Sequence, residues 1–410
     1  MSEDKGGALM ALRVRDFRLY WSGLVAQIGA QHMFQFTLGW LAFEITGSQA
    51  QLAVIHLCAF VPQFALTLLG GVLADRIDPR RLIQGAQSIA AAAVIGVGIM
   101  ALLERAELWH LALSAFLLGI SNAIDEPSRA AFFPRLLPRS HLRSAVPLIS
   151  MAFGGARMLA PSIAGFVIAA AGAPASFLVS AIGISSMIAV LHLVRPGSGA
   201  AAPHGSLLDN FADSVRYIRQ DEVFSKVIVA ALLNAALTLG YIHVLPVFAK
   251  DLLGVDSRGL GILASAAGLG SLLGLFSYPW LQARATPRNV MVYSLAAYCC
   301  AMIGMALSGW FWVSCAMLLA VGLGQAYFMT SFQVILQTLV EDRYRGRVMG
   351  VFTQVWSLMY LSGFLLNFAG SLAGPRAALA GAGAIVLVYV WLSLARSAAL
   401  RDLVLARRAS

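Results

Sequence analysis

Long apolar stretches, each about the length of a membrane-crossing helix, alternate along the chain with short polar segments. A transmembrane helix needs about 20 mostly apolar residues, and twelve segments meet this requirement. In the first half they are residues 18–44, 51–73, 82–103, 108–130, 142–171 and 173–194. In the second half they are residues 223–248, 257–281, 289–309, 310–338, 346–372 and 375–396. The pattern predicts an all-α integral membrane protein with twelve spans.

The middle of the chain interrupts the apolar pattern. Residues 195–206, RPGSGAAAPHGS, have the composition of a linker, and apolar residues recur at helical spacing in the segment that follows. We expect a short amphipathic helix there, lying on the membrane surface. The predicted organisation is therefore a tail, a six-span bundle, a linker with a surface helix, a second six-span bundle and a tail: 1–17, 18–194, 195–222, 223–396 and 397–410.

Charge supports this organisation and orients it. Only 12% of the 410 residues are charged, against roughly 25% in a soluble domain, so lipid must solvate most of the surface. Twenty-four of the 29 Lys and Arg residues fall on segments that share one side of the membrane in this topology, and four fall on the other. Because cytoplasmic loops carry excess positive charge, both termini are predicted to be cytoplasmic. The net charge of +10 is scattered between apolar runs, which argues against a nucleic acid partner.

A weak internal repeat relates the two halves at an offset of 208 residues. DRIDPRRLI (75–83) aligns with ARATPRNVM (283–291), and the second span aligns with the eighth. Two parallel six-span halves are one arrangement of secondary transporters, which bind substrate between the halves near the middle of the membrane.

The segment GVLADRIDPRRLI (71–83) resembles the loop between spans 2 and 3 of major facilitator superfamily transporters, G-x-L-A-D-R-x-G-R-K-x-x-L. Asp78 and Pro79 replace the usual Gly and Arg of that pattern. Residues 15–29, 40–54 and 341–352 are similar to the efflux subfamily that includes enterobactin exporters and macrolide efflux pumps. The resemblance implies two pseudo-symmetric six-helix bundles, a monomer in the inner membrane of a bacterium, and no cofactor.

The same resemblance implies an inner gate at the cytoplasmic side. Asp75 would face the N-terminal end of span 11, just after RYRGR, where the helix dipole favours an anion. The aligned segment 283–291 lacks the acid, so we expect the gate to be strongest on the first half. The gate residues are predicted to be Gly71, Asp75, Arg76, Arg80, Arg81, Asp125, Arg345 and Arg347.

A motif on span 5 bears on the direction of transport. Exporters of this superfamily often carry G-x-x-x-G-P-x-x-G-G, and ARMLAPSIAGF (156–166) retains Pro161 and Gly165 but has Ala160 and Ala164 where Gly is usual. Small residues let helices approach closely, and the proline bends the span. The motif favours export, with ordinary small-residue packing as the alternative.

Polar residues inside spans are the candidates for substrate contact, because a lipid-facing position for them is unfavourable. Three glutamines on span 1 recur every fourth residue and share a face, and His243 on span 7 aligns with one of them at the repeat offset. The alternative is hydrogen bonding between helices. The predicted cavity residues are Gln27, Gln31, His32, Gln35, Asn234 and His243.

Three charged residues lie within or at the edge of spans. Arg157, inside span 5, contacts either substrate or a coupling acid, or else makes a structural pair. Asp125 and Glu126 lie in the inner third of span 4, where one of them is a candidate proton carrier. The family resemblance offers a second role for Asp125, as an inner-gate ion pair with Arg76 or Arg80.

Other classes of protein fit the sequence less well. The chain contains no HExxH, GxSxG or P-loop motif, and its histidines show no ligand-like spacing, so we expect no enzyme, no metal and no built-in ATPase. The preferred hypothesis is a secondary transporter that exports a small amphiphilic molecule by alternating access, driven by a proton gradient. A polytopic membrane enzyme and a non-transporting sensor on the same fold remain as alternatives.

We predict that Asp75→Asn abolishes transport while the protein still inserts into the membrane. The amide keeps the size of the side chain but removes the charge that the gate requires. Transport assays on the membrane-inserted variant test this, and normal transport would show that the account of the gate is wrong.

Overall fold

A computed structural model describes residues 10–138, 141–194, 222–339 and 357–396, apart from the side chains of residues 143, 147, 157, 158, 222, 223 and 337–339. Within these ranges the secondary structure is helical, with no strand. All of the predicted surface helix except Glu222, and the first part of predicted span 11, lie outside the described residues.

Twelve helices occupy the predicted spans within the described ranges. Each is named α followed by its order in the chain. In the first half they are α1 (Arg15–Thr46), α2 (Gln49–Arg76), α3 (Pro79–Leu102), α4 (Leu108–Phe132), α5 (142–171) and α6 (173–193). In the second half they are α7 (Glu222–Leu237), α8 (Ser257–Gln282), α9 (Pro287–Leu307), α10 (Phe311–Leu339), α11 (Leu358–Ala373) and α12 (Pro375–Tyr389).

The boundary between α5 and α6 is a single glycine inside the helical run Leu142–Leu193. Gly172 has φ 81° and ψ 170°, a backbone conformation that residues other than glycine rarely adopt. Pro174 follows two residues later and has no N–H with which to continue a helix. The two spans predicted to join near residue 172 are therefore separated there.

The end of predicted span 7 differs from the regular helix expected over 223–248. After α7 ends at Leu237, the chain forms a 3₁₀ segment over Leu239–His243, a short turn of α-helix over Leu245–Val247 and a π segment over Phe248–Leu252. Pro246 lacks an N–H, and the N–H of Gly240 donates to Ser362 Oγ of α11 at 2.9 Å. Regular α-helical bonding is replaced here by bonds to a neighbouring helix, which is how irregular backbone survives at membrane depth.

The helices have the length and surface of membrane spans. Nine helices in the described part of the chain are long and apolar enough to cross a membrane, with α5 and α6 counted as one run. α1 is not among them because glutamine and histidine lower its hydropathy, and α11 is shorter. Large apolar side chains such as Phe276, Trp310 and Trp312 are more than 70% exposed. Such a surface is stable only in lipid, so the chain is a multi-pass membrane protein.

The chain divides into two compact units. The first comprises Met1–Thr46 and Cys58–Leu207, and the second comprises Gly47–Leu57 and Leu208–Ser410. In the first unit α1 packs on α5 and α6: Trp21 Nε1 donates to Leu148 O at 2.9 Å, and the rings of Phe34 and Phe177 lie 5.7 Å apart. Thr37 Oγ1 and Ser176 Oγ share a hydrogen bond of 2.6 Å across the same interface.

Equivalent helix pairs cross closely within each unit. In the first unit, a Cβ placed on Gly119 of α4 would collide with the main-chain oxygen of Ala59 on α2. In the second unit, a Cβ on Gly322 of α10 would collide with the main-chain oxygen of Ala267 on α8, and one on Gly270 of α8 with that of Leu319 on α10. Ala59 and Ala267 are 208 residues apart, the offset of the sequence repeat. The two units therefore share the same close crossing of helices.

Gly270→Ala should lower the free energy of unfolding by about 1–3 kcal/mol, because the added methyl group meets rigid main chain. Gly381→Ala on α12 is the matched control, since nothing lies within 4 Å of a Cβ there. Thermal unfolding of both purified variants in the same detergent measures the difference. Equal stability of the two variants would contradict the close crossing of α8 and α10.

Candidate functional site

The polar face of α1 is turned largely away from the surface. Gln27 is fully buried and Gln31 is 6% exposed, whereas His32 and Gln35 are half-buried. The amide nitrogen of Gln31 has no hydrogen-bond partner among the described residues. A buried donor without a partner is unfavourable, and it leaves Gln31 able to bind a further acceptor.

Gln27 contacts an acid on α4. Its Nε2 donates to Asp125 Oδ2 at 2.9 Å, and Arg129 Nε lies 2.9 Å from the same oxygen. Asp125 is completely buried and Arg129 is 6% exposed. Gln87 of α3, also fully buried, approaches the carboxyl without reaching hydrogen-bond geometry. We call Gln27, Gln87, Asp125 and Arg129 the acid cluster.

Several polar atoms of the acid cluster lack partners in the described part of the chain. These atoms are Gln27 Oε1, Asp125 Oδ1, Arg129 Nη1 and both amide atoms of Gln87. Burying an ion pair costs desolvation energy that the mutual attraction offsets only when the remaining hydrogen bonds are made. The acid cluster is therefore better suited to exchanging partners than to stabilising the fold.

Aromatic rings surround the ion pair. The Arg129 guanidinium lies over the Phe153 ring of α5, 5.1 Å from its centroid. Tyr20 of α1 lies close enough to interact electrostatically with both charges, and its ring is 5.6 Å from that of Phe132. These rings exclude water and link the acid cluster to α1, α4 and α5.

Two expectations about this region need correction. The predicted partner of Asp125 was Arg76 or Arg80, but its ion pair is with Arg129, one helical turn along α4. Arg129, one of the 24 basic residues assigned to the cytoplasmic side, lies buried inside α4. The spacing of four residues between Asp125 and Arg129 was the available sequence signal; nothing in the sequence identified Gln87. The adjacent Glu126 is half-buried and takes part in another interaction.

The predicted gate residues are only partly described. Gly71 is buried, Arg80 is half-buried, and Asp75, Arg76 and Arg81 are exposed. One charge of this loop has a local role: the Asp78 carboxylate accepts from Arg80 N at 3.1 Å and caps the start of α3. Arg345 and Arg347 lie outside the described residues, so the contact between Asp75 and span 11 stays a prediction.

The span 5 candidates are also divided. Pro161 and Gly165 are buried within α5, and the only non-helical residue of the described run Leu142–Leu193 is Gly172. Pro161 therefore leaves the backbone dihedrals of α5 helical. The side chain of Arg157 lies outside the described residues.

A neutral network occupies the core of the second unit. Asn234 of α7 is fully buried and donates to Thr238 Oγ1 at 3.0 Å, while Gln325 Nε2 of α10 donates to Asn234 Oδ1 at 3.4 Å. Tyr298 OH of α9 donates to Thr238 O at 3.0 Å. Asn234 thus joins helices by hydrogen bonds, the alternative given for the predicted cavity residues.

His243 lies at the end of the 3₁₀ segment, against α11. Its main-chain oxygen accepts from Asn367 Nδ2 at 3.3 Å, and its ring stacks on Tyr360 with centroids 5.8 Å apart. The described residues contain no group of three or more His, Cys, Asp and Glu side chains able to hold a metal ion.

Solved structures identify the fold. A bacterial homologue of the human lysosomal transporter Spinster matches with a TM-score of 0.71 at 16% identity, covering 92% of this chain and 95% of that one. A POT-family peptide transporter matches with a TM-score of 0.73 at 13% identity, covering 95% of each chain. The nucleoside transporter NupG matches with a TM-score of 0.70 at 15% identity, covering 92% of this chain and 98% of that one. The chain has the fold of a major facilitator transporter.

The family follows from the sequence comparison. The model of the transmembrane secretion effector family, part of the major facilitator superfamily, matches residues 6–403, and the chain belongs to this family. The multidrug efflux pump Tap of Mycobacterium tuberculosis (strain ATCC 25618 / H37Rv) is 27% identical over 90% of both chains. The staphyloferrin A transporter of Staphylococcus aureus (strain NCTC 8325 / PS 47) is 23% identical over 87% of this chain and 88% of its own.

Macrolide efflux protein A of Streptococcus pyogenes is 20% identical over 86% of this chain and 88% of its own. The predicted resemblance to the efflux subfamily is confirmed. The chain is a membrane transporter of the efflux type, and its family argues against the alternative of a membrane enzyme.

Arg129→Gln should lower the free energy of unfolding by about 3–5 kcal/mol, because the Asp125 carboxylate is left buried and unpaired. Combining it with Asp125→Asn should restore part of that loss, since neither charge then remains. Glu44→Gln, an exposed acid on α1, should change the free energy of unfolding by no more than about 0.5 kcal/mol. Thermal unfolding of Arg129→Gln, Asp125→Asn, the double variant and Glu44→Gln tests the coupling. A loss in the double variant equal to the sum of the two single losses would show that the two charges are independent.

Proposed function

We propose that the chain exports a small amphiphilic molecule by alternating access, in exchange for protons. It works as a monomer in the cytoplasmic membrane of a bacterium, with both termini in the cytoplasm. The observation that carries the proposal is Asp125, a fully buried carboxylate whose partners are Arg129 on the same helix and Gln27 on α1. An acid inside a membrane helix is a candidate proton carrier by default.

The position of Asp125 suits exchange with the cytoplasm. In the predicted topology α4 runs from the outside to the inside, and Asp125 lies seven residues before the helix ends at Phe132. At 1.5 Å per residue this is about 10 Å from the inner end of the helix. A proton brought from the outside would leave towards the cytoplasm from this site.

Protonation of Asp125 changes which groups its carboxyl can bind. The ionised carboxylate attracts Arg129 and accepts the Gln27 amide; the neutral acid loses the charge and most of its attraction for the guanidinium. The Arg129 guanidinium, which also packs on Phe153 of α5, is then able to move away from the Asp125 carboxyl group. The proton affinity of Asp125 therefore differs between an arrangement in which Arg129 pairs with it and one in which Arg129 has moved away. A ligand can shift a conformational equilibrium only through such a difference in affinity.

The proposed substrate is amphiphilic because of the groups near the predicted cavity. Gln31 has an unpartnered amide nitrogen, and His32 and Gln35 supply further polar groups on α1. The relatives are named for a siderophore, for macrolides and for multiple drugs. Arg157 is proposed to balance an anionic group of the substrate or of the coupling acid.

The gate proposal stands beside the coupling proposal. Asp75, exposed at the end of α2, closes the cytoplasmic side by facing span 11 with Arg345 and Arg347. Because Asp78 already caps α3, Asp75 is not needed to hold that helix start. Asp75 is therefore free to change partners during the transport cycle.

Proton flux in proteoliposomes tests the proposal. A pH-sensitive dye inside the vesicles reports proton movement when a macrolide or a siderophore is added, with the substrate followed in parallel. We expect substrate-driven proton flux from the wild type and the level of empty vesicles from Asp125→Asn. Asp125→Glu, which keeps the titrating group, should retain part of the flux.

Controls separate the alternatives. Substrate binding followed by tryptophan fluorescence should persist in Asp125→Asn, because the acid is not proposed to touch substrate. Flux of substrate without protons would overturn the coupling and leave a uniporter. Binding with no flux of either species in the wild type would favour the sensor.

A further inference from the structure

Two buried histidines lie in direct contact in the second unit. The rings of His56, in the first turns of α2, and His243 have centroids 4.2 Å apart with an angle of 45° between their planes. His56 is 4% exposed and His243 is 8% exposed. The Nε2 atoms of both rings have no hydrogen-bond partner within the described ranges.

The contact ties three elements together. His56 also lies close to the main chain of His243, whose oxygen accepts from Asn367 of α11. Tyr360 of α11 stacks on the other side of the His243 ring. The first turns of α2 are thereby joined to the 3₁₀ segment and to α11.

The elements at this contact carry no fixed charge that could balance an imidazolium. Residues 47–57, 238–247 and 358–373 contain no Asp, Glu, Lys or Arg. The other titratable groups on them are the phenols of Tyr241 and Tyr360. The nearest charged residues along the chain, Glu44, Lys250, Asp251 and Arg376, lie outside these segments. The pair is therefore stable in this position only when both rings are neutral.

The backbone around His243 is suited to movement. The 3₁₀ segment departs from regular α-helix, a feature that often marks a hinge. Gly363 of α11 lies so close that a Cβ there would be 2.9 Å from His243 Cδ2. The His243 ring is thus held mainly by close packing against the main chain of α11 and by few hydrogen bonds.

We propose that His56 and His243 form a proton-sensitive latch, which holds the first turns of α2 against the 3₁₀ segment and α11 and opens when either ring is protonated. A charged ring has no counter-ion on the three described segments that form the contact and must reach water, which separates the rings. Histidine is the side chain that ordinarily titrates between about pH 5 and 8. In the predicted topology both residues lie towards the outer ends of their helices, so the latch responds to external pH.

This inference goes beyond the proposed function, because it concerns a site separate from Asp125 and is tested without substrate. Spin labels at Ala50→Cys on α2 and Leu372→Cys on α11, both exposed, report the distance across the latch. The labels are placed in a background in which Cys58, Cys299, Cys300 and Cys315 are replaced by Ser. Pulsed electron spin resonance is recorded in lipid nanodiscs at a pH above the ordinary titration of histidine and at a pH well below it, because burial without a counter-ion makes both rings harder to protonate.

We expect a longer-distance population to appear at the lower pH. The double variant His56→Gln, His243→Gln cannot be protonated there and should give the same distance distribution at both values. The double variant His56→Phe, His243→Phe keeps two rings for packing without a titrating group and should hold the short distance at both values. His192→Gln, an exposed histidine on α6, is the matched control and should keep the pH response.

Two results would overturn the latch: a wild type whose distances do not depend on pH, or a double glutamine variant that still responds. Asp125→Asn in the same labelled background separates this inference from the proton-coupled exchange. It should lose proton flux and keep the pH-dependent distance. A latch that does not respond, together with proton flux that depends on Asp125, would reject the latch and leave the proposed function standing.

Discussion

A carboxylate can stay inside a lipid-embedded helix only when opposite charge and hydrogen bonds compensate the loss of water. Asp125 meets this constraint with Arg129 and Gln27, and the arrangement determines what surrounds it. α1 must bring a glutamine face inward, α3 must place Gln87 nearby, and α5 must supply Phe153 for the guanidinium. The packing of the first unit keeps the Asp125 carboxylate away from water and paired with Arg129.

The second unit solves the problem of buried polarity in another way. Its core network, Asn234, Thr238, Gln325 and Tyr298, consists of neutral groups that satisfy one another. Its two histidines change charge only by leaving their neighbours. The two halves thus share a sequence repeat and a close helix crossing but differ in the polar groups of their cores. The sequence shows a related difference, since the charged loop of the second half lacks the acid that the first half carries.

Much of the fold follows from the sequence because the bilayer imposes it. The length of the apolar runs gives the spans, and Gly172 with Pro174 gives the break between α5 and α6. The irregular end of span 7 was not predicted, since it depends on Ser362 and α11 supplying a bond to Gly240. Counting charges assigned Arg129 only to the cytoplasmic side; the packing of α4 shows that it is buried beside Asp125. Hydropathy finds helices but not the partners that polar groups acquire when helices pack.

The glycine contacts between α8 and α10 have a consequence for how such a transporter can diversify. Where two main chains touch at Gly270 and Gly322, no larger side chain can be accommodated without separating the helices. Substitutions at Gly270 and Gly322 therefore cannot contribute to the recognition of new substrates without separating the two helices. Changes in substrate preference are then expected on the polar face of α1 and at the irregular end of span 7, where side chains can vary without separating these helices.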